Sequence, residues 1–231
     1  MPEVKEISSM FNSISKKYDL LNHLLSFNID KLWRKKLISQ INPTKDIQIL
    51  DLCTGTADVA IDMAKKIKDA NIIGVDVAAE MLEVGVVKTQ KLKLDDRISL
   101  VEGDALYLPY EDETFDVVTM SFGFRNLENQ AAGIREMKRV LKKGGQMLIL
   151  EFSPEQKGIW GFLYKLHLKI MIPILGRFVS GSSVAYQYLS SSIQDFLTPR
   201  QVVNMMIEED VKVSASISLM GGIAYIYGGT K

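Results

Sequence analysis

Short apolar runs alternate with longer amphipathic stretches through the middle of the chain. The short runs are typical of buried parallel strands, and the longer stretches have the apolar spacing of helices. Strands that alternate with helices form a parallel sheet with right-handed crossovers and helices on both faces, which predicts an α/β fold. We expect Gly144 and Gly145 to end the last of these helices. The predicted strands are 47–52, 71–75, 98–101, 116–121 and 146–153, and the predicted helices are 58–67, 78–92 and 129–141.

Helical patterns flank this alternation on both sides. Residues 1–43 have apolar side chains at helical spacing up to Pro43, and a second helical stretch interrupts the pattern at 154–196. The chain ends in a helix at 199–208 and two β-rich runs, KVSASISL and IAYIYGG, which predict an antiparallel hairpin at one sheet edge. We therefore expect a mostly parallel seven-stranded sheet in a single domain, 1–231, with an N-terminal helical cap and a helical insertion or lid.

Charge and cysteine content narrow the class of protein. The 231 residues include 28 Lys and Arg against 28 Asp and Glu, so no net field favours nucleic acid, and we expect no nucleic-acid partner. The one cysteine, Cys53, rules out an intramolecular disulfide framework and suits a reducing compartment. The N-terminus lacks a secretory signal, and no uncharged apolar run is long enough to span a bilayer. We expect a cytoplasmic enzyme.

Acidic residues stand at the ends of three successive predicted strands. Asp51 ends the first strand in the loop DLCTGTADVA, Asp76 ends the second, 21 positions after Gly55, and Asp104 follows the third. Ligands of open α/β sheets bind at these carboxyl ends. The loop has one glycine instead of the G-x-G-x-x-G of dinucleotide enzymes, and its carboxylates would repel a pyrophosphate. They suit a cationic ligand, and S-adenosylmethionine carries both a sulfonium and an ammonium group.

Each acid has a place around such an adenosine-shaped ligand. Asp76 fits the acid that binds two ribose hydroxyls, and Asp104 with Ala105 could present a carboxylate and a backbone amide to an adenine edge. Taken singly, Asp51 could equally be a loop acid, Asp76 a helix N-cap and Asp104 a turn residue. Their recurrence at three strand ends favours the nucleotide interpretation and points to a methyltransferase.

Longer stretches of the chain are motifs of one known family. They are FNSISKKYDLLNHLLSFNIDKLWRKK, ILDLCTGTADVA, DVVTMSFGFRNLEN with EMKRVLKKGGQMLILEFS, and the C-terminal YQYLSSSIQDFLTP and GGIAYIYGGTK. Over nearly its whole length the chain resembles the menaquinone and ubiquinone C-methyltransferases, the UbiE/COQ5/MenG type of class I S-adenosylmethionine-dependent enzymes. The SFG-x-RN and YDLLN elements are specific to this family, whereas the cofactor loop by itself is not.

The resemblance implies roles for particular residues. Thr56 would contact the methionine portion of S-adenosylmethionine, Asp76 the ribose, and Asp104 with Ala105 the adenine. Ser121 would lie near the cofactor at the end of the fourth strand. The implied fold is the Rossmann-like class I methyltransferase fold.

The chain departs from the family pattern at three places. Ala57 stands where the family usually has glycine, and its added methyl group is tolerated if φ is negative but costs more if φ is positive. Phe196-Leu197 replaces a Phe-Pro, and Tyr227 replaces a histidine.

Polar residues at the end of the fourth strand suggest how an acceptor would be held. Arg125 and Asn126 follow the apolar run VVTMSF, and ring C-methylation needs an electron-rich carbon, which a hydroquinone becomes on losing a hydroxyl proton. Arg125 could stabilise the resulting negative charge but cannot act as the base, and Asn126 could orient the same oxygen. Tyr18 and Asp19 in YDLLN could form another wall of the pocket, with Asn22 as a further polar contact. The structural alternatives are a surface arginine for Arg125 and a core position for Tyr18.

The helical insertion is rich in apolar and basic residues. The prenylated substrate implied by the family would require contact with a membrane, so the segment could lie at the membrane interface, peripheral at its inner face, or form a lid. Ordinary packing on the sheet and a homodimer contact are the alternatives. The residues concerned are Trp160, Phe162, Leu163, Leu166, Ile170 and Ile174, with Lys157, Lys165, Lys169 and Arg177.

These observations together predict a C-methyltransferase that uses S-adenosylmethionine to methylate the ring of a prenylated hydroquinone, demethylmenaquinol. Transfer would be direct, without a metal. One alternative is a methyltransferase for another small aromatic or polyketide acceptor. A second is a non-catalytic subunit of a quinone-synthesis complex, which Ala57 alone supports and which the three acids and Arg125 argue against.

Overall fold

A seven-stranded sheet organises the structure and places its ligand-binding edge. The computed structural model describes residues 4–26, 28–155, 158–159, 161–164, 166, 169–170, 188 and 191–231. Its strands are β1 Gln48–Leu52, β2 Asn71–Asp76, β3 Ile98–Glu102, β4 Phe115–Ser121, β5 Leu141–Phe152, β6 Lys212–Leu219 and β7 Ala224–Thr230. They lie in the order β3-β2-β1-β4-β5-β7-β6.

Five of the strands run parallel, and the last two form the predicted hairpin. β1 pairs with both β2 and β4, whereas β7 pairs antiparallel with β5 and with β6. The order of the strands reverses between β1 and β4, which is the point where ligands bind in sheets of this type. The predicted α/β fold with its C-terminal antiparallel hairpin is confirmed.

Helices cover both faces of the sheet because successive strand residues point to opposite sides. Ile49 of β1 packs with residues of α2 and α3, whereas Leu50 packs on the other face with residues of α5 and α6. The helices are α1 Val4–Ser26, α2 Asp30–Ile38, α3 Asp58–Lys66, α4 Ala79–Lys91, α5 Gln130–Val140 and α6 Pro199–Glu208, and a short 3₁₀ turn covers Phe124–Asn126.

Two residue signals that were predicted to end helices do not do so. Helix α5 stops at Val140, before Gly144 and Gly145, because Leu141 already has an extended backbone and pairs with Phe115 of β4. The two glycines therefore lie inside β5, beside a register shift, and end no helix. Similarly, α2 ends at Ile38, five residues before Pro43. For α5, strand pairing with the sheet outweighs the local signal.

The helical insertion lies partly outside the described residues. Of 154–196, the residues at 158–159, 161–164, 166, 169–170, 188 and 191–194 are helical. Lys157, Trp160, Lys165, Ile174 and Arg177 lie outside the described residues. Within the described part of the chain, no helix is long and apolar enough to cross a membrane.

Candidate functional site

Two adjoining cavities lie at the carboxyl ends of the parallel strands. All ten residues predicted for the site line one or both of them. Asp51, Thr56 and Arg125 line the first, here called the Arg125 cavity. Asp76, Asp104, Ala105 and Asn126 line the second, here called the Asp76 cavity. Tyr18, Gly55 and Ser121 line both, so the two cavities form one cleft around the predicted cofactor and acceptor positions.

Asp76 holds two loops together at the end of β2. Its Oδ2 accepts a hydrogen bond of 2.8 Å from the amide of Gly55, and its Oδ1 accepts one of 2.9 Å from the amide of Ala78. Burial raises the pKa of this carboxyl, while the bonds from the backbone amides oppose the rise. Each oxygen has a second lone pair, so the carboxylate can still accept bonds from two hydroxyls.

Asp51 is a buried carboxylate at the end of β1. Its two oxygens accept hydrogen bonds from the hydroxyls of Thr54 and Thr119, at 2.7 and 2.6 Å. Burial raises the pKa of Asp51 to about 6, and the charge of Asp76 adds to the rise, while the two threonine bonds oppose it. A cation bound beside Asp51 would stabilise its charged form.

Asp104 shapes the turn that follows β3. Its Oδ1 accepts a 2.8 Å hydrogen bond from the amide of Leu106, and its carbonyl accepts one from the amide of Tyr107. The side chain therefore has the turn role that the sequence left open as an alternative, and it also lines the Asp76 cavity beside the buried Ala105. The two roles are compatible, because one carboxylate oxygen holds the turn.

The loop between β1 and α3 stores backbone strain. Cys53 and Ala57 both have positive φ, 54° and 65°, in the left-handed region that disfavours side chains. Ala57 thus adopts the more costly of the two conformations considered from the sequence. Its methyl group is accommodated because Gly85 of α4 lies opposite, where an added Cβ would be only 3.2 Å from that of Ala57.

Helix α1 is joined to this loop by a polar network that the sequence did not reveal. Thr56 donates a 2.5 Å hydrogen bond to Asp19 of α1, and Lys88 of α4 forms an ion pair with the same carboxylate at 2.8 Å. Lys88 also pairs with Asp58 at the start of α3. The hydroxyl of Thr56 is therefore engaged by protein partners, and the network closes the cleft on the side of α1.

Ser121 supplies an unsatisfied polar atom at the junction of the two cavities. Its Oγ is buried and has no hydrogen-bond partner among the described residues. Buried hydroxyls in folded proteins normally have a partner. A ligand with a polar group at this position would satisfy it.

Arg125 lies beyond β4, buried rather than on the surface. Its Nη1 donates to Glu151 of β5 at 2.8 Å and to the carbonyl of Phe122 at 2.5 Å, and its Nε donates to Ser192 at 3.3 Å. Glu151 is completely buried. The chain can turn so tightly here because Gly123 has no side chain: an added Cβ would lie 2.3 Å from that of Cys53.

Asn126 and Tyr18 occupy neighbouring positions of the cleft. Oδ1 of Asn126 accepts a 3.0 Å hydrogen bond from the hydroxyl of Tyr188, which leaves the amide nitrogen of Asn126 as its donor. Tyr18 packs edge-on against Phe11, with ring centroids 5.9 Å apart, and both rings line the two cavities. Burial raises the pKa of Tyr188, against the effect of Arg125.

Sequence reasoning missed two residues of the site, Glu151 and Tyr188, and it placed Asp19 in the pocket wall without its partner Thr56. Glu151 carried a usable signal, because it stands near the end of an apolar strand just as Asp51 and Asp76 do. Tyr188 carried no comparable signal, and no local pattern indicated the partner of Asp19. Each meets its partner across the cleft, 62 and 37 positions away along the chain.

The cleft fits S-adenosylmethionine. It offers the carboxyls of Asp51 and Asp76, a hydroxyl at Ser121 that has no partner among the described residues, and a cofactor loop whose carboxylates disfavour phosphate. These features, on a sheet with the strand order described above, define a class I S-adenosylmethionine-dependent methyltransferase.

Comparison with known proteins gives the particular family. Residues 2–231 match the ubiE/COQ5 methyltransferase family. A demethylmenaquinone methyltransferase of Porphyromonas gingivalis is 37% identical over 231 residues, covering 100% of this chain and 94% of the relative. One of Thermotoga maritima is 43% identical over 91% of this chain and 90% of its own length. The ubiquinone/menaquinone biosynthesis C-methyltransferase UbiE of Geobacter sp. (strain M21) is 39% identical over 98% of this chain and 97% of its own. The chain belongs to the ubiE/COQ5 methyltransferase family.

Solved structures of low sequence identity share the fold. An S-adenosylmethionine-dependent methyltransferase from Aquifex aeolicus superposes with a TM-score of 0.62 and 16% identity, over 85% of this chain and 88% of that one. The [4+2]-cyclase SpnF superposes with a TM-score of 0.75 and 14% identity, over 100% of this chain and 96% of that one. Since a cyclase has the same fold, the site and the family must carry the functional argument.

Proposed function

We propose that this enzyme transfers a methyl group from S-adenosylmethionine to the ring carbon of demethylmenaquinol, the reduced form of 2-demethylmenaquinone. The products are menaquinol, S-adenosylhomocysteine and the proton that the ring carbon loses. The observation that carries the proposal is the buried Arg125. It lines the Arg125 cavity together with the cofactor loop and the rings of Phe122 and Phe152. Full-length similarity to relatives named demethylmenaquinone methyltransferases supports the choice of substrate.

The cofactor half of the cleft would bind and orient S-adenosylmethionine. Asp76 would accept bonds from the ribose hydroxyls, Asp104 and Ala105 would bind the adenine edge, and Ser121 and Gly55 would line the portion near sulfur. Asp51 would balance the positive charge. When bound, the cofactor supplies an electrophilic methyl group next to the Arg125 cavity.

The acceptor half would hold the hydroquinone and stabilise its ionised form. The ring carbon becomes more nucleophilic as the neighbouring hydroxyl loses its proton. Arg125 would donate hydrogen bonds to that oxygen and stabilise its negative charge, and the amide nitrogen of Asn126 would orient it. Phe122, Phe152 and Tyr18 provide aromatic walls for a flat ring.

The test is transfer of a labelled methyl group to chemically reduced demethylmenaquinone with a short prenyl tail. The oxidised quinone and reduced menaquinone, which already carries the methyl group, serve as matched controls. We expect label only in the reduced demethylated compound, because only it has an electron-rich ring carbon that is free to react. Cofactor binding without transfer to this acceptor would instead favour another small aromatic acceptor. Absence of cofactor binding would favour a non-catalytic subunit.

We also propose that the insertion contacts the membrane surface from which a prenylated substrate is drawn. Five apolar side chains in it follow helical spacing, and each is between 44% and 64% exposed: Ile159, Phe162, Leu163, Leu166 and Ile170. Co-sedimentation with vesicles containing anionic lipid tests this, and we expect Phe162→Ser/Leu163→Ser to reduce binding. Leu32→Ser, at an exposed position of α2, is the control. If the wild-type protein does not bind vesicles but dimerises with increasing concentration, and the double variant does not dimerise, the segment is a homodimer contact instead.

A further inference from the structure

Arg125 is buried beside the carboxylate of Glu151, which has no role in the proposed reaction. Glu151 is the last residue but one of β5, which pairs with β4, and the side chains of Arg125 and Glu151 are 4% and 0% exposed. A buried ion pair contributes little net stability, because removing two charges from water offsets most of their attraction. The presence of Glu151 therefore calls for an explanation other than stability.

Glu151 binds Arg125 at two points. Its Oε1 accepts the 2.8 Å bond from Nη1, and its Oε2 accepts a 3.1 Å bond from the backbone amide of Arg125. Oε1 also accepts a bond from the amide of Phe152, at 2.8 Å. The carboxylate thus fixes the side chain and the main chain of Arg125 together and is itself tied to the strand.

The remaining contacts of Arg125 decide which of its nitrogens is left for a ligand. A guanidinium has five N–H donors, two on each Nη and one on Nε. Nη1 uses its two on Glu151 and the carbonyl of Phe122, and Nε uses its one on Ser192. Nη2 has no hydrogen-bond partner among the described residues, and it is not among the fully buried polar atoms that lack one there. Both of its N–H groups can therefore donate to a ligand.

The plane of the guanidinium is also restrained. The Cζ atom of Arg125 lies 5.5 Å from the ring centroid of Phe152, the residue that follows Glu151. Phe152 in turn packs against Phe122, with ring centroids 4.7 Å apart. The end of β5 therefore supplies both the carboxylate and the aromatic face that hold the arginine, and Arg125, Phe152 and Phe122 all line the same cavity.

We infer that Glu151 is a positioning residue for methyl transfer: it holds Arg125 so that the two donors of Nη2 meet the acceptor oxygen. It does not touch the acceptor and acts only through Arg125. The inference rests on the proposed role of Arg125 toward a phenolic oxygen. It also explains why a fully buried carboxylate stands at this strand end.

Glu151→Gln removes the charge with little change of shape. Whichever way the amide is turned, its NH₂ group faces an N–H donor of Arg125 or Phe152, so the arginine loses its fixed position. We expect kcat to fall about 10- to 100-fold while the Kd of S-adenosylmethionine changes less than about twofold. Glu209→Gln, which breaks the exposed ion pair with Arg135, is the control and should leave kcat unchanged.

A double-mutant cycle separates positioning from a general structural role. If Glu151 acts through Arg125, the double variant Arg125→Met/Glu151→Gln should be no slower than Arg125→Met alone. Losses of kcat that multiply, or a wild-type kcat in Glu151→Gln, would overturn the inference. Should Glu151→Gln fail to fold, Glu151→Asp keeps the charge but shortens the side chain, and it should lower kcat without lowering cofactor affinity.

Urea unfolding of the same variants gives a measurement that does not depend on the acceptor. Each single variant leaves one buried charge unpaired, so the double variant should unfold at a higher urea concentration than either single variant. Additive shifts of the midpoint would overturn the inference even in an active enzyme. If the wild-type enzyme is inactive on demethylmenaquinol but the two substitutions are still coupled in stability, the proposed substrate is refuted and the inference about Glu151 is not.

Discussion

The two halves of the cleft are built in different ways. In the cofactor half, each acid bonds a group two or three positions away in the chain: Asp104 bonds Leu106, Asp76 bonds Ala78, and Asp51 bonds Thr54. Two of them add a longer-range bond, Asp76 to Gly55 and Asp51 to Thr119. In the acceptor half, the side-chain partners are distant in the sequence. Arg125 bonds Glu151, which is 26 positions later in the chain, and Ser192, which is 67 positions later. Local contacts within the loops thus contribute to the cofactor half, whereas the acceptor half depends more on contacts between segments that are distant in the chain.

This difference suggests that the two functions can be damaged separately. A change in the cofactor loops should weaken binding of S-adenosylmethionine and leave the chemistry of bound complexes nearly intact. A change around Arg125 should do the reverse. The following predictions test that separation, from the largest expected effect to the smallest.

Arg125→Lys should abolish most of the turnover and spare cofactor binding. Lysine has one nitrogen, which cannot bond Glu151, the Phe122 carbonyl and an acceptor oxygen in the arrangement that the guanidinium allows. We expect kcat to fall by about 100-fold or more and the Kd of S-adenosylmethionine to stay within about twofold. Kinetics with calorimetric binding measure both quantities, and Arg135→Lys on exposed α5 is the control. An equal loss of turnover and binding would mean that the halves are not separable.

Asp76→Asn should have the opposite signature. The amide cannot accept hydrogen bonds at both ends, so the Gly55 or Ala78 amide loses its partner and the ribose loses a charged acceptor. We expect the affinity for S-adenosylmethionine to fall about 10- to 100-fold, with near-normal kcat at saturation. Asp95→Asn, in the exposed turn before β3, should change neither value. Unchanged affinity in Asp76→Asn would exclude Asp76 from the cofactor site.

Cofactor affinity should rise with pH up to about 6. Burial raises the pKa of Asp51 to about 6 in the free protein, and a bound cation favours its charged form, so the pKa falls in the complex. Protonation at low pH then competes with binding. We expect about tenfold weaker binding at pH 5 than at pH 7, where the dependence levels off.

Asp51→Asn should flatten much of this profile, because the carboxyl that titrates is gone. Any pH dependence of affinity that remains would come from Asp76, because burial raises its pKa as well. A wild-type profile that is already flat between pH 5 and 7 would argue against a cation beside Asp51.

The strained cofactor loop gives the smallest predicted effect. Ala57→Gly removes the strain of a positive φ, which costs about 1–2 kcal/mol. The loss of one buried methyl group and the added freedom of the unfolded chain offset this gain in stability. We expect the free energy of unfolding to stay within about 1 kcal/mol of wild type. Ala60→Gly, equally buried but helical, should cost about 1–2 kcal/mol. Similar losses for both variants in chemical denaturation would contradict the strain at Ala57.

The sequence by itself determined the alternation of strands and helices and the three acids at the strand ends. β6 and α6 have the predicted bounds, and several other elements agree to within a residue. These features follow from side-chain periodicity and from turn residues, which act over a few positions. The same local information placed all ten predicted site residues on the cleft, although their roles remain predictions.

Only the tertiary structure decided which groups hold those residues in place. It paired Arg125 with Glu151, bound Thr56 to Asp19 of α1, gave Ala57 a positive φ opposite Gly85, and ended α5 at Val140 through pairing with β4. None of these follows from local periodicity, because each depends on the distance between segments that the folding of the sheet brings together. In this protein, local pattern therefore identified the candidate reactive groups, and long-range packing determined their orientation.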